Sequence, residues 1–131
     1  MGYLTGLNLE HGENMYHIFI VDDDNSFRRS LAIQLEMEGY QISEAGSAKE
    51  ALNSLDHLKS RHDFPDLVMT DILMPEVRGT EFASELHQRY KNLAVCMMSA
   101  YGKPEETAHY PFFKKPFKVQ QVVDYIKTLE P

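Results

Sequence analysis

The run His17–Asp24, HIFIVDDD, decides the reading of this chain. Ile18, Phe19, Ile20 and Val21 form an unbroken stretch of β-branched and aromatic side chains, the composition of a strand covered on both faces rather than one half exposed to water. Three carboxylates follow at once. Downstream, Phe27, Leu31, Ile33, Leu35 and Met37 lie in a stretch with near-helical spacing that stops before Gly39, a suitable C-cap. YQISEA at 40–45 then reads as a second strand. Ser47 can cap a second helix that carries Ala48, Ala51, Leu52, Leu55 and Leu58 on one side.

The alternation continues to the end. DLVMTD, from Asp66, makes a third strand after the breaker Pro65, and Gly79 to Tyr90 holds a third helix with Phe82, Ala83 and Leu86 inward. LAVCMMS is the fourth strand. AYGKPEETAHY reads as a loop with a short helix, PFFK as a brief fifth strand and KVQQVVDYIKTL as the last helix. Strand–helix repetition of this kind specifies an α/β domain: a doubly wound, five-stranded parallel sheet with helices on both faces, because right-handed crossovers return each strand beside an earlier one. Upstream, residues 1–15 have mixed polarity and no period, so they are expected to be a flexible arm or an appended remnant, with Met15 a candidate natural start. The folded domain is expected over 16–131.

Composition narrows the function. An apolar fraction of 43% in 131 residues fills one ordinary core. Twenty acidic against 13 basic residues, spread along the chain for a net charge of −7, give no positive face for nucleic acid. The longest apolar runs are strand-length, far below the ~20 residues that span a bilayer, so neither membrane insertion nor direct DNA binding is expected. The first 16 residues lack the cationic start and apolar segment of a secretory signal, which predicts a cytoplasmic protein. The one cysteine, Cys96, sits in AVCMM and reads as a buried structural thiol. Histidines at 11, 17, 57, 62, 87 and 109 have no metal-ligand spacing, and none is a phosphohistidine candidate.

In a doubly wound sheet ligands bind beyond the carboxyl ends of the strands. The polar residues that end the strands are Asp22 and Asp23, Asp71, Ser99 and, near the fifth, Lys115. Three carboxylates brought together repel, and a hard cation with oxygen preference keeps them ionised; Mg2+ suits, since it takes one or two carboxylates and accepts phosphate oxygens. One carboxylate is then left as a nucleophile, and Asp71 is the candidate. Lys115 can meet one phosphate oxygen as a compact charge, and Ser99 can donate to another.

IFIVDDDNSFRRSL, VMTDILMPEVRG, MMSAYG and FFKKPF closely resemble the receiver domains of two-component response regulators (CheY-like), over roughly residues 16–131. The resemblance implies the flavodoxin-like strand order 2-1-3-4-5 and phosphorylation of Asp71 by a sensor histidine kinase or histidine phosphotransfer protein. It also implies metal held by Asp22, Asp23, Asp71 and the backbone carbonyl of Leu73. Ser99 and Phe112 then look like the switch pair, with Tyr101 an alternative aromatic reporter, acting on a downstream protein target. The segment between Ser99 and Lys115 is shorter than in most receivers by roughly one to two helical turns, so the fourth helix is expected to be stunted. The Lys115–Pro116 bond is a candidate cis peptide.

Duller readings stand beside these. Asp22–Asp24 taken alone would cap a helix, Ser99 alone would be a turn residue, and Phe112 alone would be core. Two other functions compete. Asp22-Asp23-Asp24-Asn25-Ser26 resembles the Asp-x-Asp-x-Thr motif of haloacid-dehalogenase-like phosphatases, although FFKKPF replaces the late acidic pair of that family. A pseudo-receiver that binds partners without phosphorylation would be expected to have lost a motif residue, and this chain keeps them all.

Overall fold

The computed structural model describes residues 15–101 and 109–130. In chain order the elements are β1 (His17–Val21), α1 (Asn25–Met37), β2 (Gln41–Ala45), α2 (Ala48–Ser60), β3 (Leu67–Asp71), α3 (Gly79–Arg89), β4 (Ala94–Ser99), β5 (Phe112–Lys114) and α4 (Val119–Leu129). All strand pairs are parallel, in the order β2-β1-β3-β4-β5. This is the doubly wound α/β architecture expected. Of the arm expected over 1–15, residues 1–14 lie outside the described residues, as do residues 102–108 of the segment in which a short helix is expected after Ser99.

Strand alternation divides the core in two. Phe19, Val21, Val68, Val95 and Met97 point to one face, where Ala51 and Leu55 of α2 and Phe82 and Leu86 of α3 cover them. Ile18, Ile20, Leu67, Met69, Cys96 and Met98 point to the other, under Leu31 and Leu35 of α1 and Val122 and Ile126 of α4. All five residues of β1 and of β3 are buried, as a central parallel strand requires. Cys96 is buried too, and that burial pushes its thiol pKa up, out of the reactive range.

Local chemistry sets the element ends. The Asp24 carboxylate accepts from the Phe27 N–H at 3.0 Å and the Ser47 hydroxyl from the Glu50 N–H at 3.1 Å, each satisfying a first-turn donor. Gly39, at φ +101°, follows α1 in the left-handed region that favours glycine. Two apolar residues of α1 lie elsewhere than a single inward stripe would put them: Ile33 is 46% and Met37 81% exposed. The inward stripe is Leu31, Ala32 and Leu35, and Ile33 and Met37 are turned away from it by the helical period.

Candidate functional site

The carboxyl ends of β1, β3, β4 and β5 meet at one end of the sheet. In register, Asp71 lies opposite Met98 and Ser99 opposite Lys114, so the hydroxyl stands one residue past the acceptor's partner and Lys115 one residue past its own. The Lys115 N–H donates to the Ser99 carbonyl at 2.7 Å, extending this pairing by one step. The strand ends thus bring Asp22, Asp71, Ser99 and Lys115 together, and Asp23 follows Asp22 on the exposed side.

Oxygens of Asp22, Asp23 and Asp71 all lie within 4.8 Å of one another. Asp22 is fully buried and Asp71 nearly so. The Lys115 ammonium donates to Oδ2 of Asp22 at 2.6 Å and lies 3.5 Å from Oδ2 of Asp71. Its other side faces the Phe27 ring, 4.3 Å from the centroid, a cation–π contact that buttresses the charge; Phe27 in turn packs edge-on against Phe117. Burial, first, and then the Asp22 charge push the Asp71 pKa up to about 6, against the opposing pull of Lys115 and of the Leu73 backbone N–H. One ammonium among three carboxylates leaves an excess of negative charge with hard oxygen donors, a set that fits Mg2+.

Asp24 does not join the cluster: its side chain caps α1, while its N–H donates to Oδ1 of Asp22 at 3.0 Å. The buried Ser99 hydroxyl oxygen accepts from the Tyr101 N–H at 3.1 Å, which leaves the hydroxyl hydrogen available to another acceptor. Tyr101 is 68% exposed and the Leu73 side chain is also exposed, each two residues past a site group, Ser99 and Asp71. Phe112, at the start of β5, is half-buried against the α2–α3 core face. The Lys115–Pro116 peptide is cis.

Gly79 allows α3 to begin close to the acceptor. A Cβ there would lie 2.3 Å from the Asp71 carbonyl oxygen and 2.8 Å from Cα of Ile72, and the Gly79 N–H donates to the Ile72 carbonyl at 2.8 Å. Only glycine fits this approach. Sequence reading also missed Phe27 and Arg28, the second of which donates to the Asp22 carbonyl at 2.6 Å. The one available signal was their place in the helical turn after the acid run.

Residues 18–127 match the response regulator receiver domain family. The chain is 32% identical over 120 residues to sporulation initiation phosphotransferase F of Bacillus subtilis, covering 87% of this chain and 93% of that protein. It is 32% identical to the transcriptional regulatory protein SrrA of Staphylococcus aureus, covering 86% of this chain but 46% of SrrA. Against the sensor kinase CckA of Brucella abortus it is 26% identical and spans 12% of that protein's length. Among solved structures, response regulator TrrA of Thermotoga maritima, in complex with Mg2+-BeF, superposes with a TM-score of 0.75 at 29% identity, covering 88% of this chain and all of that one.

Proposed function

The chain belongs to the response regulator receiver domain family, and from that premise we propose that it is a phosphoacceptor whose Asp71 takes a phosphoryl group with the help of Mg2+. The observation that carries this is the position of Asp71: it ends the central strand β3, nearly buried, with its carboxylate beside Asp22 and Asp23 and 3.5 Å from the Lys115 ammonium. An Asp71 oxygen attacks phosphorus as the donor's P–N or P–O bond breaks, the leaving group departing on the opposite side. Lys115 meets the charge that develops on the transferred oxygens. The Ser99 hydroxyl, already fixed through its lone pair by the Tyr101 N–H, donates its hydrogen to another. Asp22, Asp23, Asp71 and the Leu73 carbonyl would hold the metal, which neutralises charge on the acceptor and on the phosphoryl oxygens.

A histidine kinase or histidine phosphotransfer protein is the donor we propose, supported by a solved complex of histidine kinase ThkA with TrrA, whose TrrA chain is 29% identical to this one. Phosphorylation then biases a two-state equilibrium that changes the surface offered to a downstream protein, with Ser99 and Phe112 as the switch pair and Tyr101 as a second aromatic at the site's rim. A cytoplasmic place of action is part of this proposal; no described helix is long and apolar enough to cross a membrane. The test is incubation with Mg2+ and acetyl phosphate followed by intact-mass measurement. Wild type is expected to gain one base-labile phosphoryl group and Asp71→Asn none; equal labelling of the two overturns the assignment.

A further inference from the structure

Every polar group of Asp22 is held. Its N–H donates to the Ala45 carbonyl at 3.1 Å, Oδ1 accepts from the Asp24 N–H at 3.0 Å and Oδ2 accepts from Lys115 at 2.6 Å. The fourth, its carbonyl oxygen, accepts from Nη1 of Arg28 at 2.6 Å. Arg28 is only 13% exposed, and its Nε donates to Oε1 of Glu44 on β2 at 3.0 Å. Arg29 donates to the other Glu44 oxygen. One planar guanidinium therefore ties the edge strand β2 to the peptide that joins Asp22 to Asp23.

That peptide is where the chain leaves β1 and turns toward α1. Its orientation fixes the direction in which Asp23 projects toward Asp71. A fork-shaped donor anchored at both ends restricts rotation there in a way that a flexible point charge does not. We infer that Arg28 is a positioning residue for the divalent cation: by clamping the Asp22 carbonyl to Glu44 it preorganises Asp22 and Asp23 and raises the affinity of the acidic cluster for Mg2+. The inference rests on the metal-dependent reading proposed above.

The sign of the effect separates positioning from simple electrostatics. Arg28 is a cation close to a cation site, so if charge alone mattered its removal would tighten Mg2+ binding. If positioning dominates, removal weakens it. The test is calorimetric titration of the folded protein with MgCl2, using wild type, Arg28→Met, Arg28→Lys and the double variant Arg28→Met, Glu44→Met. The double variant keeps the net charge and leaves no Glu44 oxygen deprived of its Arg28 donor. It is expected to bind Mg2+ about tenfold more weakly than wild type, the lower range of losses seen when an outer partner of a metal ligand is removed. Arg28→Lys, which keeps charge and stem but not the fork, is expected to lose severalfold and gives a readout if the methionine variants fold poorly. Unchanged affinity in the folded variants, or tighter binding in Arg28→Met, overturns the inference while leaving the metal-dependent reading intact. Absence of Mg2+ binding by wild type overturns that reading, and this inference with it.

Discussion

Lys115 is bonded to Asp22 more closely than to Asp71, at 2.6 Å against 3.5 Å. Its first duty is therefore to neutralise the fully buried member of the acid cluster. Lys115→Met leaves that carboxylate without a counter-charge, a loss of about 3 kcal/mol of metal-free stability on the scale of broken buried pairs. Mg2+ replaces the missing charge, so the variant should gain more stability from the metal than wild type does. Urea denaturation with and without MgCl2 measures both effects, and equal midpoints for the two metal-free proteins would rule out this account.

Asp23 and Asp24 are adjacent yet differently employed. Asp23 is exposed within the oxygen cluster, whereas Asp24 caps α1 through the Phe27 N–H. Asp23→Ala is expected to weaken Mg2+ binding severely. Asp24→Ala should weaken it mildly while costing about 1 kcal/mol of stability through the lost cap. Metal titration and denaturation of both variants check the ranking, which equal losses of affinity would reject.

His17 supplies a pH dependence remote from the acidic cluster. It is 3% exposed, its Nε2 shares a hydrogen bond with the Ser43 hydroxyl at 2.7 Å, and its Nδ1 has no hydrogen-bond partner, with Asp63 at 3.7 Å. Burial lowers its pKa below the ordinary 6.5, against the opposing charges of Asp63 and Asp66. The unfolded chain therefore takes the proton first as pH falls through that ordinary value. Stability associated with neutral His17 is full above it and declines below, as the folded protein resists protonation. Denaturation midpoints at pH 7.5 and 5.5 (roughly a unit either side of the free imidazole value) should fall further for wild type than for His17→Gln; parallel declines would count against His17 as the source.

The lifetime of a phosphorylated Asp71 depends on whether a water can be held in line opposite the leaving carboxylate. Leu73, two residues past Asp71, and Tyr101, two past Ser99, are both exposed, one apolar and the other phenolic, and neither offers a carboxylate or amide side chain to orient that water. Slow self-dephosphorylation is expected. The double variant Leu73→Asn, Tyr101→Glu should speed decay at constant Mg2+, by up to about 100-fold, the scale on which misplacing a reactant by an ångström slows a reaction. Indistinguishable decay curves would sink the idea.

Residues that end apolar runs were the legible part of this molecule. Val21 to Asp22, Met69 to Thr70 and Asp71, and Met98 to Ser99 each mark a strand end by an abrupt change of polarity, and a parallel sheet gathers such ends on one side. The strand order came only with the family resemblance, because alternation fixes handedness and not which strand is central. Ile33 and Met37 escaped because several apolar residues in one helix do not say which stripe faces inward. Arg28 and Phe27 escaped for another reason. Their partners, Glu44 and Lys115, come from other elements, and contacts created by tertiary closure leave no local pattern.

The brevity of β5 gives the domain a weak flank. Its three residues pair with β4 alone among the described strands, whereas β1 and β3 each have a strand on either side. Partial openings start where few backbone bonds must break, so β5 separates at a lower free energy than the centre of the sheet. Lys115 travels with it. A molecule in that open form keeps Asp71 on β3 and Asp22 just past β1 but has lost the ammonium near both, and it becomes a transient cation trap whose self-repulsion favours either a captured cation or prompt reclosure. The balance of charge in this pocket is thus maintained by its least anchored strand, and the frequency of edge fraying sets how often the acidic cluster stands unscreened.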